Sequence, residues 1–376
     1  MGKIEEDYDF ASFSEDGSHA FLDNLCIRIR GPYEHEDPLS TASPIKEPTF
    51  EHGSPLPIGL HTLWFHTIYM SAGLTTLPLP QSMTAVNLRS LVIREQSPEL
   101  TPDPIRLVNF LSCCPELKVF HYVGLPHEPP PPKDLSLIRI AHLPHLHTLV
   151  LRSTCAVRAI LSHIHTPELT ELYLEHTNME FKLHHSAAYT SEPEEGDSDD
   201  ETGDFSQSPW SDQATGMGLR SLIRRSKPPL EVLEMDYADM RTKDFLWCFN
   251  KLETLQEFRI VASDMSDKVV AMLAPFRADD GWLDGGEEWP RAENASEPLR
   301  VRLPKLSALE LWNCQRLSGD AVVHALGARV QYTDNVSDRN AYSKLSDVAV
   351  INCANFLPRH VLSLSPVLGP RLRTMG

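Results

Sequence analysis

The stretch that decides the fold reads Leu306-Ser-Ala-Leu309-Glu-Leu311-Trp-Asn-Cys314-Gln-Arg-Leu317-Ser-Gly-Asp320. Its first half places three apolar residues at the spacing L-x-x-L-x-L, and near variants of that spacing occur ten times along the chain. The first apolar residues lie 23 to 61 residues apart, and several intervals fall between 23 and 29. Such a recurrence predicts one structural unit repeated along the chain. The units begin at Leu22, Leu60, Leu88, Leu117, Leu146, Leu169, Leu230, Leu255, Leu306 and Leu345.

Each unit is predicted to contain a short strand followed by a return segment. Asp103 and Pro104 supply an N-cap and a first-turn proline, and apolar residues then follow at helical spacing. Alternating short strands and helices at this period predict an α/β solenoid, a horseshoe with a parallel concave sheet, short convex helices and about ten irregular repeats. Further helices are predicted over residues 156–165, 242–250, 266–274 and 318–328.

Two acidic segments interrupt the repeats. Residues 192–212 hold nine acidic and no basic residues, and residues 279–297 hold seven acidic residues and one arginine, out of a net charge of −18. The composition predicts a disordered insertion over 186–214 and an acidic loop over 279–298. Residues 1–20 are expected to be disordered or a cap, and residues 21–376 to form the repeat domain. Because no basic stripe is present to neutralise phosphates, nucleic acid is not expected as a partner.

The composition also bears on compartment and chemistry. Residues 1–16 contain no apolar signal sequence, no stretch has 18 consecutive apolar residues, and the seven cysteines are scattered. These features predict a cytoplasmic or nuclear protein without a membrane partner. No catalytic motif is present, so no enzymatic activity and no cofactor are expected. Cys113 and Cys114 precede Pro115 where a helix should end, and are interpreted as core residues.

The unit at Leu306 resembles the cysteine-containing class of leucine-rich repeat, with Cys314, Leu317 and Asp320 following its strand. Residues 345–353 repeat the first half of this pattern. That repeat class is typical of F-box proteins, the substrate receptors of cullin–RING ubiquitin ligases. The irregular repeats, proline-rich loops and acidic insertions are similar to those of large fungal families of F-box/leucine-rich-repeat proteins.

The resemblance implies a non-catalytic protein-binding scaffold that serves as the substrate-recognition part of an SCF-type ubiquitin ligase. Contact with the ligase adaptor is implied if an F-box exists elsewhere. No F-box is visible: residues 1–20 are short and polar, and Leu357-Pro358 resembles its opening only superficially. The alternative is a truncated or decayed F-box/leucine-rich-repeat paralogue that acts as a stand-alone binding module.

Strand alternation predicts which side chains face the concave surface. In the first half this face carries arginines without acids, and in the second half seven acids and one arginine, with aromatic residues between them. This mixture indicates a site for a protein partner, and its acidic half favours a basic segment of that partner. The alternative is that solvent-exposed strands carry charges for solubility. The candidate partner-binding residues are Trp64, Arg94, Arg152, Glu171, Tyr173, Glu175, Glu234, Asp236, Glu257, Glu310, Trp312 and Asp347.

Two further motifs concern modification and metal binding. Ser191 and Ser198 each stand three residues before a glutamate in acidic surroundings, the pattern of acid-directed kinases, so both are candidate phosphorylation sites; the alternative is a plain solvated linker. The densest histidine group lacks cysteine pairs at zinc spacing, so no metal site is expected. It consists of His142, His145, His147, His163 and His165.

Overall fold

The protein is an α/β structure built on one large parallel sheet. The computed structural model describes residues 21–27, 64–71, 88–94, 104–124, 139–154, 157–175, 213–238, 240–263, 265–277, 299–336 and 341–375. Eleven strands form the large sheet, and a separate pair, β5 (Ala141–His142) and β7 (Ile164–His165), is also parallel. The eleven are β1 (Phe21–Ile27), β2 (Trp64–Ser71), β3 (Leu88–Arg94), β4 (Val119–Val123), β6 (Thr148–Arg152), β8 (Glu171–Glu175), β9 (Val232–Asp236), β10 (Glu257–Val261), β11 (Ala308–Trp312), β12 (Asp347–Ile351) and β13 (Leu372–Met375).

The strands of the large sheet follow one another in chain order, each paired in parallel with its predecessor and its successor. Described helices occupy several of the connections, and each helix contacts the next one along the chain. They are α1 (Pro104–Leu111), α2 (Val157–Ser162), α3 (Gln213–Ser226), α4 (Thr242–Lys251), α5 (Asp267–Ala271), α6 (Gly319–Asn335) and α7 (Pro358–Leu368). A short 3₁₀ turn, Gly369–Arg371, joins α7 to β13.

A recurring turn ends five of the strands. The residue after the strand has a left-handed backbone, with φ between 47° and 55° at Ser153, Tyr237, Ala262, Asn313 and Asn352. In four of these turns the N–H of this residue donates to the last carbonyl of the following strand, as from Tyr237 to Val261 (2.9 Å), from Ala262 to Trp312 (2.8 Å) and from Asn313 to Ile351 (3.0 Å). Asparagine tolerates this conformation better than most residues. Successive strands therefore leave the sheet in the same direction, and the turns stay in register.

From β3 to β12, the core lies on one side of the sheet, beneath the second and third apolar positions of the units. Leu149 and Leu151 of β6, for example, are fully buried, while the residues around them are partly or fully exposed. Helix residues complete the same core: Phe249 of α4 packs edge-on against Phe258 of β10, with ring centroids 5.5 Å apart. Full burial of one such side chain contributes roughly 1.5–3 kcal/mol, so the repeated apolar spacing is the main source of stability.

Two buried charges are satisfied by dedicated partners. The Asp244 carboxylate of α4 is fully buried and accepts from Arg220 and Arg241, each at 2.9 Å. The guanidinium of Arg329 in α6 is also fully buried and donates to the carbonyls of Leu273 (3.2 Å), Arg302 (2.8 Å) and Leu303 (2.6 Å). Burial lowers the pKa of Arg329 to about 10. Asp244 thus joins α4 to Arg220 of α3, and Arg329 joins α6 to the backbone carbonyls of two neighbouring loops, so that neither buried charge is left without a partner.

The frame predicted for the second unit is wrong. In the sheet, Leu22 pairs with Phe65 and Leu25 with Ile68, and these continue to Leu88 and Leu91. The second unit therefore reads Phe65-x-x-Ile68-x-Met70 rather than Leu60-x-x-Leu63-x-Phe65. Both readings satisfy the apolar spacing locally, and only pairing with the neighbouring strands distinguishes them.

Several element boundaries also differ from the prediction. Helix α6 extends to Asn335, seven residues beyond its expected end, and the segment predicted as helix over 156–165 divides into α2 and β7. Helices α3 and α7 and strands β5 and β13 were not predicted. The two strands do not follow the L-x-x-L-x-L spacing, and α3 begins inside the predicted acidic insertion. Residues 213 and 214, placed at the end of the acidic insertion, are the first two residues of α3.

Candidate functional site

The side of the sheet opposite the core carries rows of side chains that run across the strands. One row contains Tyr173, Glu234, Arg259, Glu310 and Arg373, each paired in register with the next strand, with Ala349 between the last two. Most of these residues are partly exposed, since the described helices pack on the other side. From β6 to β13 this face holds seven carboxylates and three arginines, a difference of four negative charges.

An arginine network joins three neighbouring strands, β9, β10 and β11. Arg259 lies 3.9 Å from Glu234, 3.5 Å from Asp236 and 3.8 Å from Glu310. Its guanidinium is 5.6 Å from the ring centroid of Trp312, a cation–π distance. The Trp312 indole donates to Glu310 (3.1 Å). Aromatic and ionic contacts thus hold this part of the face in a defined arrangement.

Arg373, on the unpredicted strand β13, extends the arginine network to the last strand of the sheet. Its guanidinium donates to Glu310 at 2.6 Å and to both oxygens of Asp347 at 2.7 and 2.8 Å. These hydrogen bonds raise the pKa of Arg373 above its ordinary value. An arginine on an extended strand is therefore a ligand that this face already binds in a bidentate geometry.

A carboxylate cluster, consisting of Glu171, Glu234 and Glu257 around Tyr173, lies beside the arginine network. Glu171 accepts from Thr148 (3.1 Å) and from the Tyr173 hydroxyl (3.4 Å). Burial, followed by the negative charges of Glu171, Glu234 and Glu257, raises the pKa of Tyr173 to about 12. Burial also raises the pKa of Glu234; Arg259 opposes that rise and the neighbouring carboxylates add to it. The cluster is thus a region of negative potential with a neutral phenol at its centre.

The structure brings together most of the predicted candidate residues on this one face. Arg152 pairs with Glu175, and this pair lies next to Asp236 in the row that continues to Trp312. In the sheet register, Arg94 pairs with Val123 in the same row, and Trp64 pairs with Phe21, one residue before the corrected frame begins. The side chains of Arg94 and Trp64 lie outside the described residues.

Four positions expected on the open face, namely Val92, Val261, Ala349 and Ile351, are buried instead. Val261 and Ile351 flank Trp312 in one row, and Ala349 lies between Glu310 and Arg373. Longer neighbouring side chains cover these small or apolar side chains. Strand alternation alone does not predict this burial. Arg373 itself was missed, because only the sheet register reveals that the C-terminal residues form a strand beside β12.

The histidine group forms contacts of its own. The rings of His142 and His165 meet edge to face with their centroids 5.3 Å apart. His145 and His147 approach the Glu168 carboxylate at 3.3 and 3.7 Å. His163 bonds to the carbonyl of Ala159 (2.7 Å). In the described part of the chain, no group of three or more His, Cys, Asp or Glu residues is arranged to hold a metal ion.

The structure describes the two cysteines interpreted as core residues, but it does not describe the two candidate phosphorylation sites. Cys114 is fully buried, and burial raises the pKa of its thiol, as expected of a core residue; Cys113 is half-buried. Ser191 and Ser198 lie outside the described residues, as do residues 1–20, the acidic loop over 279–298 and all but the last two residues of the insertion over 186–214.

Comparison with known proteins adds no assignment. No protein-family model matches the chain, and no curated protein matches it significantly. Over the described ranges, no helix combines the length and the apolar character needed to cross a bilayer.

Proposed function

We propose that this chain is a leucine-rich-repeat solenoid that acts as a non-catalytic scaffold and binds a protein partner on the open face of its sheet. The support for the solenoid is the strict chain order of the parallel strands, together with the left-handed turn that recurs after five of them. A repeated unit that contacts only its neighbours is the organisation of such folds, and their sheets commonly bind other macromolecules.

The partner is proposed to present a basic, arginine-bearing segment. The observation that carries this is Arg373, whose guanidinium bridges Glu310 and Asp347 from a parallel strand. The three acids of the carboxylate cluster lie on neighbouring strands, as Glu310 and Asp347 do. Within the described residues, Glu171 and Glu257 form no ion pair. A guanidinium from outside would find acceptors there in a partly desolvated setting, where charged hydrogen bonds are strongest.

The proposal is tested with synthetic peptides that carry arginine at alternate positions. Their binding to the full chain is measured by fluorescence anisotropy, beside peptides in which each arginine is replaced by glutamate. The arginine peptide is expected to bind, and its affinity to fall as salt screens the charges. The triple variant Glu171→Gln, Glu234→Gln, Glu257→Gln is expected to weaken binding about tenfold, or about 1.4 kcal/mol.

A matched control distinguishes the effect of carboxylates on the open face from the effect of the overall charge of the protein on peptide binding. Glu253→Gln removes one exposed carboxylate from the turn before β10 and is expected to leave binding unchanged. Equal binding of the arginine and glutamate peptides, or an unaltered affinity in the triple variant, would refute the basic-segment proposal.

The ligase context rests on the repeat resemblance alone and has its own test. The full chain is purified from its own cells and scored for cullin–RING adaptor and scaffold subunits. Their recovery supports a substrate-recognition role. Their absence, with the arginine peptide still bound in vitro, supports the alternative of a stand-alone binding module.

A further inference from the structure

The two cysteines that follow β11 and β12 occupy equivalent positions in neighbouring units. Trp312 pairs with Ile351 at the ends of these strands, and Cys314 and Cys353 each lie two residues further on. Asn313 and Asn352 between them share the left-handed conformation (φ 53° and 52°), and the Asn352 amide donates to the Asn313 side-chain oxygen. The chains thus leave the sheet side by side.

The turns stay side by side beyond the asparagines. Gln315 donates to the Asn352 carbonyl and Asn355 donates to the Gln315 carbonyl, each at 3.1 Å. Neighbouring strands lie about 4.8 Å apart, inside the range of about 4.4–6.8 Å over which a disulfide joins two Cα atoms. No large backbone movement is therefore needed to connect the two residues.

The Cys353 side chain is directed toward the unit that contains Cys314. The Cys353 thiol is hydrogen-bonded to Cys314, and its Sγ lies 3.7 Å from the Leu311 carbonyl of β11, which places it against the neighbouring unit. Both cysteines are free thiols. Cys314 is fully buried, whereas Cys353 retains 8% exposure beside the exposed residues Asn352 and Ala354. Cys353 is therefore the member that a small oxidant reaches first.

We propose that Cys314 and Cys353 form a redox-sensitive pair that hydrogen peroxide converts to a disulfide in the folded protein. The Cys353 thiolate attacks one peroxide oxygen, so an S–O bond forms, the O–O bond breaks and hydroxide leaves as water after taking a proton. Cys314 then loses its proton and attacks the Cys353 sulfur; the S–S bond forms and the S–O bond breaks, releasing a second water. Two thiols and one peroxide give one disulfide and two waters.

The chemistry of the other described cysteines differs. Cys114 and Cys248 are fully buried, and burial raises the pKa of both thiols. The contact with Cys314 instead lowers the pKa of Cys353, which increases its thiolate fraction. The Cys314–Cys353 pair is therefore expected to oxidise before Cys114 and Cys248.

The test uses peptide mapping of the full chain after graded peroxide treatment, alkylation and trypsin digestion without reductant. Trypsin releases Cys314 in residues 306–316 and Cys353 in residues 345–359. The expected product is these two peptides joined with the loss of two hydrogens, and separated again by dithiothreitol. The oxidised protein is also expected to unfold at a higher temperature than the reduced protein, because the link closes a loop.

Two variants assign the order of the steps. With Cys314→Ser, Cys353 is expected to stop at sulfenic acid, which dimedone traps; with Cys353→Ser, Cys314 is expected to stay reduced. The proposal is overturned if the wild-type peptides remain unlinked while the half-buried Cys113 oxidises, or if they link only in denaturant. The wild-type result decides this even where a variant folds poorly.

Discussion

At the residue scale, the buried carboxylate of Asp244 is the charge whose removal should be felt most. It has no exposure and two arginine partners at 2.9 Å, and Arg241 is itself nearly buried. Asp244→Asn leaves these guanidiniums without a counter-charge, so we expect the free energy of unfolding to fall by about 3–5 kcal/mol. Denaturant titration measures this loss. Glu253→Gln makes the same carboxylate-to-amide change on the surface, and an equal loss there would contradict the explanation.

Tyr173 reports the negative potential of the carboxylate cluster. Its pKa is raised from 10.0 to about 12, so the unfolded chain loses this proton at lower pH than the folded protein does. Stability from this group is therefore complete below pH 10 and falls as pH rises toward 12. The phenolate absorbance that Tyr173→Phe removes should titrate near 12, and Glu171→Gln should lower that value. An unchanged titration in Glu171→Gln would show that the carboxylate has no influence on the phenol.

The residues of the face were largely predictable, since alternation along a strand assigns each side chain to one side. Glu234 and Trp312 illustrate this, because only one L-x-x-L-x-L frame fits the sequence around each of them. Their partners were not predictable. The contact between Arg259 and Trp312 depends on two strands separated by 46 residues of intervening chain, and local spacing contains no information on which charges meet.

At the scale of elements, strand β13 reduces the negative charge of the face, because its Arg373 pairs with two carboxylates. The side chain is 47% exposed, so its ion pairs contribute little to stability. Arg373→Ala is therefore expected to change the free energy of unfolding by less than about 0.5 kcal/mol. Because it releases Glu310 and Asp347, it should increase the affinity for an arginine peptide, which anisotropy measures. A decrease in affinity would mean that Arg373 itself contacts the peptide.

The N-terminus of α7 depends on a histidine cap. The Leu357 N–H donates to Nδ1 of His360 (2.9 Å), and the ring is buried against Phe356. His360→Ala removes this acceptor, and we expect a loss of about 1–2 kcal/mol, measured by thermal unfolding. The exposed His324 provides the control, and His324→Ala should be neutral. Equal effects of the two changes would argue against the cap.

Strands were easier to predict than helices. The apolar spacing marks nine of the ten predicted strands in the correct frame, and it fails at β2, where two overlapping frames fit. Helix α3 was missed because its sequence begins inside a polar, acidic stretch. Disorder was predicted there from the composition, and the helical spacing of the apolar residues that follow was not used. It is held instead by packing on α2 and α4.

At the scale of the whole molecule, a defect in one unit should affect mainly the units beside it. Leu309 of β11 is fully buried, so Leu309→Ala is expected to cost about 2–5 kcal/mol. Hydrogen exchange should accelerate most in β10 and β12, which pair with β11. Leu362→Ala, at a position 75% exposed, is the matched control. Uniform acceleration across all described strands would indicate a single cooperative unit instead.

The chain order of the sheet has a consequence for biosynthesis. Each strand of the large sheet pairs with the strand that precedes it in the chain. During translation, the preceding strand has therefore already left the ribosome when the next strand emerges. The long connection between β8 and β9 delays this only modestly, because the entropy of closing a loop grows slowly with its length. No described strand of the large sheet must wait for one made much later, and the nascent protein can assemble in a single direction from its N-terminal end.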